Sequence, residues 1–334
     1  MEKIQHNRLL TIDLIKFIAS LFVIFIHCSF YGSLGISIKA IARFAVPFFF
    51  ICSGYFLIGN PPEKIIKKFL HIVKLALFSL VLYFLFFGAI QFVSGGMASF
   101  LEFLANIFNL KSLIKLIVFN VPFSFTNLWY LLALIYVYFI YYLLTKAKIP
   151  DKLIFTVGFV LLFAHLLIWQ LNLSLNITEN TFYVRNFLFV GFPMVTLGCF
   201  IKKYQHKIPK LNTVKLIFIL FIGATLSVLS RFLLGNKSLP LGAIVISVSL
   251  FIYALNSKWN SECAFLKNAG DYSTYIYIFH PLFIRLLQFI ANKLGVLDKS
   301  VFWTNLMPIA VCFSTILFAV FYCKLKKKYI KFLI

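Results

Sequence analysis

Residues 10–31 read LTIDLIKFIASLFVIFIHCSFY, and this stretch decides the fold. At 1.5 Å per residue it can cross about 30 Å of hydrocarbon as one helix, and its only titratable side chains besides a thiol and a terminal phenol are Asp13, Lys16 and His27. The rest of the chain has the same character: of 334 residues 62% are apolar and 12% charged, with 43 Phe and 16 Tyr, and the mean hydropathy is +0.97. Soluble domains run at about 45–50% apolar and about 25% charged. Too few charged side chains are present to cover such an interior against water, which excludes soluble folds. The sequence predicts an all-α fold, a polytopic membrane helix bundle.

Runs of comparable length recur at 39–58, 66–93, 128–144, 152–171, 184–201, 214–234, 239–256, 273–291 and 301–323, so about ten transmembrane helices are expected. The stretch 99–125 carries Glu102, Lys111 and Lys115 at helical spacing and is expected to be interfacial or re-entrant. The net charge of +23 would point to nucleic acid in a soluble protein. Here twenty of the 32 Lys and Arg fall in the segments on one side of the ten-span scheme, which marks that side as cytoplasmic and places both termini there. The first run keeps its charges and lacks a small-residue cleavage site, so a retained helix is expected rather than a signal peptide. The six cysteines form no CxxC pair, and no HxH, HExxH or DxD pattern occurs, so neither a disulfide framework nor a metal site is predicted. Residues 1–334 read as a single membrane domain in a multi-pass protein of the cell membrane.

Ionisable groups at membrane depth are costly and therefore candidates for function. On a helix Lys16 and His27 lie about 20° apart and Asp13 about 60° from Lys16, so the three share one face, with roughly 16 Å of rise between Lys16 and His27. That is a polar lane; the plainer reading is an Asp13–Lys16 ion pair that snorkels and a His27 that bonds across helices. In the second run, IARFAVPFFFICSGYFL, Pro47 removes a backbone hydrogen bond and Ser53-Gly54 permits close helix approach, as in broken helices that line cavities. Arg43 lies one turn inside that helix, where it either snorkels or meets an anion. Arg185 sits near an outer helix end, where headgroup binding would also explain it. The ninth run, GDYSTYIYIFHPLF, puts Tyr277 and His280 on one face, and Pro281 frees a backbone carbonyl one turn earlier. Trp129, in NLWYL, fits an aromatic belt.

In order and spacing these blocks resemble the acyltransferase-3 family of membrane O-acyltransferases over nearly the full length. The first helix of that family carries Asp, then Arg or Lys, then ten residues and His, which stand here as Asp13, Lys16 and His27. Arg43 with VPFFFICSGY, NLWYLLALI, a GFP…G span at 191–198 and YIYIFHP follow in turn. Within that family the chain resembles the smaller ten-span branch, such as the enterobacterial common antigen O-acetyltransferase and the membrane portion of vancomycin-resistance serine racemases. An Arg-x-x-Arg motif common after the second helix is replaced by Lys68-Phe-Leu-His71, with Lys64 and Lys67 just before it.

The resemblance implies transfer of an acyl group, usually acetyl, from cytoplasmic acetyl-CoA to a hydroxyl of a cell-envelope polysaccharide or lipid-linked glycan. CoA is then a donor substrate, with no resident cofactor. His27 is expected to act as general base, since an imidazole with an ordinary pKa near 6.5 can take a hydroxyl proton. Asp13 would hold Lys16, and Lys16 with Lys64, Lys67, Lys68 and His71 would attract the CoA phosphates. Arg43, Ser53, His280, Tyr277, Trp129 and Arg185 are the expected substrate-binding residues. The expected partners are acetyl-CoA, the acceptor glycan and membrane lipid, without nucleic acid. A carrier for an amino acid or a lipid-linked sugar stands as the alternative, because ten spans, a broken helix and intramembrane Lys and His suit transport as well. A structural anchor for a glycan-synthesis complex is a third reading, which leaves His27 without a task.

Overall fold

The computed structural model describes residues 2–120, 125–174, 186–235, 239–257, 259, 263–295 and 301–329. Within the described residues each of the ten expected spans falls on largely helical backbone, and there is no strand. Among the described residues eight helical stretches are long and apolar enough to cross a membrane, and Leu241–Asn256 is a shorter apolar helix. The chain divides into two compact units, Met1–Cys52 with His206–Leu333 and Ser53–Gln205.

The first unit is built around α1, Glu2–His27. After it come α2, Gly32–Ala42, and the start of α3, Ala45–Tyr55. The expected second span is thus two helices, broken at Arg43 and Phe44. Pro47 has no N–H to offer the carbonyl of Arg43, and Ser247 donates to the Phe44 carbonyl at 2.7 Å, so the backbone at the break is held from another helix. The unit is completed by α9 (Thr213–Leu234), α10 (Leu241–Asn256), the single turn α11 (Ala264–Lys267), α12 (Ala269–Lys293) and α13 (Val301–Tyr329). α12 packs along α1, while α13 runs antiparallel to α12 through Tyr275–Tyr322 and Phe279–Phe318 ring pairs. The interior is apolar and close-packed, with Ala19, Ile24, Phe48, Phe251, Ile276 and Val311 withdrawn from the surface.

The second unit begins within α3, after Cys52. Its longest element is α4, Pro62–Ile107, whose helical dihedrals fail at Gly95 (φ −141°) and Gly96 (φ +68°, ψ −160°). Gly96 occupies a region that a side chain resists, so the helix turns there and its last part folds back on the first. Phe100 and Phe103 lie against Gly88, where a Cβ would meet their rings at 3.2 and 3.4 Å, and the Phe84–Phe103 and Phe92–Phe100 pairs close the hairpin. The run expected at 66–93 therefore extends at both ends, and the first third of the stretch expected to be interfacial or re-entrant, 99–107, is part of the returning arm. Leu110–Phe119 of the same stretch forms α5, capped by the Asn109 side chain, and 121–124 lie outside the described residues. Leu70, Leu77, Val81, Leu85 and Phe92 make an exposed apolar stripe on α4 at helical spacing, the face a bilayer covers.

α6 (Trp129–Lys146), α7 (Asp151–Ser174) and α8 (Phe192–Tyr204, entered through a π-helical turn at Phe187–Gly191) complete this unit. The link from α6 to α7 is short, and Lys148 takes a left-handed conformation there (φ +54°), a place where a non-glycine residue costs roughly 1 kcal/mol. Gly54 lets α3 meet α8 at backbone distance, because a Cβ there would collide with the Val195 carbonyl.

Candidate functional site

In the first unit the three polar residues of α1 occupy two levels. At one level Lys16 donates to the Asp13 carboxylate at 2.9 Å, and both side chains are partly buried. Cys52 and Asp271 lie within electrostatic reach of Lys16. The start of α12 closes on this pair: a Cβ on Gly270 would stand 2.7 Å from Cγ and Oδ1 of Asp13. Glycine at 270 thus lets a helix N-terminus, with its partial positive charge, approach the carboxylate. Substituting Gly270→Val is expected to push Asp13 from Lys16 and to lower the melting temperature by several degrees.

At the other level His27 ends α1 with an exposed ring, and the fully buried His280 lies beside it, ring centroids 5.4 Å apart and tilted by 38°. The local sequence explains how His280 is oriented. Pro281 cannot donate to the Tyr277 carbonyl four residues back, and the His280 ring fills that role, with Nδ1 2.8 Å from the Tyr277 oxygen and 3.2 Å from that of Ile276. Two carbonyl acceptors require a proton on Nδ1, which leaves Nε2 as a lone-pair acceptor; it is buried and has no hydrogen-bond partner. Tyr277 packs near the same ring, at 6.1 Å. Pro281→Ala returns an amide N–H that competes for the Tyr277 carbonyl. Its expected result is an activity loss of about tenfold with an unchanged melting temperature, checked by kinetics beside calorimetry. Arg43 is buried at the α2–α3 break.

In the second unit Ser53 is bonded to the Tyr138 hydroxyl. Behind it the Tyr141 hydroxyl and Thr196 Oγ1 are 2.8 Å apart, and the Cys199 thiol donates to the Gly54 carbonyl at 3.3 Å. Trp129 begins α6, and its carbonyl accepts from the Asn120 side chain at 3.3 Å. Asn120 is fully buried, left-handed (φ +49°), and also accepts from the Phe187 amide. Asn127 donates to the buried Tyr83 hydroxyl at 2.7 Å. Neither Asn was singled out by sequence, although Asn127 lies inside the NLWYL block; an amide in an otherwise apolar run was the available signal. Arg185 lies outside the described residues.

Lys64, Lys67 and His71 form an exposed stripe on the first turns of α4, and Lys68 reaches back to the Phe56 carbonyl. None of the four lines the cavity beside them. That cavity, of about 800 Å³, opens between the ends of α3, α4, α6, α7 and α8, and its lysines are Lys148, Lys202 and Lys203. Among the described residues no three His, Cys, Asp or Glu side chains come together as a metal site would need.

A family model described as an acyltransferase domain matches residues 9–323, a range that takes in both the His27 level and the lysine cavity. The chain is 25% identical over 327 residues to a protein of Enterococcus faecalis named an amino-acid racemase, a match covering 90% of this chain and 44% of that protein. It thus spans less than half the length of that relative. No solved structure matches. With its apolar helices and a match over nearly its whole length, the chain belongs to the acyltransferase-3 family of multi-pass membrane proteins.

Proposed function

We propose that the protein is an O-acyltransferase that moves an acetyl group from acetyl-CoA to a hydroxyl of a cell-envelope polysaccharide or lipid-linked glycan at the plasma membrane. The observation that carries this reading is the histidine pair: one exposed imidazole at a helix end and, 5.4 Å away, a buried one whose tautomer the backbone sets. His27 takes the hydroxyl proton as the oxygen attacks the thioester carbon. The tetrahedral intermediate collapses with cleavage of the C–S bond, and the same proton goes to the departing thiolate, so a CoA thiol and an O-acetyl ester result. His280, with Nδ1 committed to Tyr277, presents its Nε2 lone pair as the buried acceptor beside the imidazolium that forms on His27. Asp13 holds Lys16, and Lys16 contributes positive charge for the anionic donor. Lys64, Lys67, Lys68 and His71 raise the local concentration of that donor. Arg43, Ser53, Tyr277 and Trp129, together with Arg185, are retained as acceptor-binding residues.

The test is CoA release from acetyl-CoA by purified protein in lipid nanodiscs, with and without a cell-envelope glycan extract, alongside mass spectrometry of the glycan. Glycan-dependent release with acetylated product supports the reading. For Lys16→Ala the expected change is a rise of about tenfold in the acetyl-CoA KM with a smaller change in kcat. No release in any variant, with uptake of a small solute such as serine in proteoliposomes, would overturn the enzyme and establish a carrier.

A further inference from the structure

We infer that the cavity of the second unit is a binding site for a phosphate-bearing ligand, held by Lys148 and Lys202; taking that ligand to be the donor's nucleotide end rests on the acyltransferase reading. At about 800 Å³ the cavity has the size of a small-molecule site. Its charge is one-sided: three ammonium groups, Lys148, Lys202 and Lys203, against the single carboxylate of Asp151. Lys203 neutralises Asp151 at 2.6 Å, and no carboxylate of the described residues pairs with the other two. Two helices also start at the rim, at Pro61 and Pro150, and bring their partial positive charge to it.

The lysines are placed by the neighbouring Ser-Gly-Tyr block and by the α6–α7 link. The Tyr55 hydroxyl is bonded to Gln205 at 2.8 Å, and its ring lies under Lys202 at 4.7 Å, so an aromatic face fixes that ammonium while leaving its N–H groups for a ligand. Gly54, next to Tyr55, docks against the Val195 backbone of α8, the helix that carries Lys202 and Lys203. The Ser-Gly-Tyr block thus mounts a lysine as well as packing two helices. Lys148 is in the left-handed region, where glycine or asparagine would be less strained, and a residue kept there against conformational preference points to a use for its side chain. The inner wall includes Tyr141, whose hydroxyl leads to Thr196, so the polar interior continues past the lysines. The exposed stripe of Lys64, Lys67 and His71 then gathers anions from solution, while the cavity holds them.

The experiment is titration of CoA into full-length protein in phosphatidylcholine nanodiscs, followed calorimetrically, for wild type, Lys148→Gly, Lys202→Gln and the double variant. Saturable binding is expected, weakened about fivefold by each single change and at least tenfold by both, while pantetheine, which lacks the phosphates, binds all four alike. Lys148→Gly relieves the left-handed strain, so its melting temperature holds or rises and loss of binding there is not loss of fold. A parallel series in nanodiscs containing one-third phosphatidylglycerol identifies a lipid source: wild type would be thermally stabilised by the anionic lipid, the double variant would not, and CoA would compete weakly or not at all. Either pattern supports a phosphate site. Equal CoA affinity in all variants together with an equal lipid response overturns it, even if acetyl transfer proceeds. Lysine-dependent CoA binding without any transfer upholds the cavity and sinks the acyltransferase reading instead.

Discussion

His27→Ala is expected to lower glycan-dependent acetyl transfer by about a thousandfold, within the range general-base removal gives elsewhere, while the protein remains folded and still binds CoA. The ring ends α1 and is exposed, so its loss opens no cavity in the packed interior. The fall should appear in kcat more than in KM, because a proton acceptor is needed in the transition state and not for binding donor or acceptor. His27→Gln, which retains a polar side chain of similar reach without a base of suitable strength, should be nearly as slow. Retention of a tenth or more of wild-type kcat in both variants would remove His27 from the chemistry. His280→Phe provides the companion measurement: the buried ring volume is kept while the Nδ1–Tyr277 bond and the Nε2 lone pair are lost. A kcat reduced by one to two orders of magnitude with His27 intact would mark His280 as acting through its neighbour.

The second large effect concerns stability. Gly54→Ala should destabilise the protein by about 3 kcal/mol, the upper part of the range for overpacking, because the added methyl meets a backbone carbonyl on α8 that cannot rotate away. The Cys199 thiol also donates to the Gly54 carbonyl, so moving the helices apart breaks that bond as well. Gly59→Ala is the informative comparison. Gly59 has φ +80° with open space where a Cβ would stand, so only the conformational penalty applies, on the order of 1 kcal/mol. Thermal unfolding in one detergent should order them wild type, Gly59→Ala, Gly54→Ala. Equal losses for the two would mean that the α3–α8 contact is looser than its geometry.

The existence of the helices was legible because a bilayer imposes a length and an apolar composition that any windowed reading detects. The turn at Gly95–Gly96 was legible in part: the apolar run ends at 93 and Glu102 sets the next stretch apart, but that this stretch folds back on the first depends on Phe100 and Phe103 meeting Gly88, which hydropathy does not encode. In the site, Asp13 and Lys16 were legible as a pair because three residues apart on a helix is a contact distance, and the structure joins them at 2.9 Å. Pro281 announced a freed carbonyl. That the next ring would take it up, and that His27 would lie beside that ring, depends on α12 packing along α1, which no local pattern encodes. Lys148 and Lys202 were read only as charges marking a membrane side. Their convergence on one cavity follows from the meeting of helix ends distant in sequence. Asn127 was passed over beside Trp129 because the aromatic belt offered a sufficient account of the block; the buried Tyr83 that makes the amide necessary lies 44 residues away.

The hairpin in α4 also fixes the parity of the chain. A straight helix of 46 residues would be about 70 Å long, more than twice the hydrocarbon thickness, and counting residues alone would assign it two crossings. The returning arm after Gly96 has only eleven residues before Phe108, about 16 Å, and cannot reach the side from which α4 began. The segment therefore crosses once and then dips back, so whatever follows Phe108 is delivered to the face where α4 turned. A reporter inserted after Asn109 and one inserted after Ser94 should consequently be labelled by the same impermeant reagent, whereas a genuine second crossing would separate them and invert every later loop.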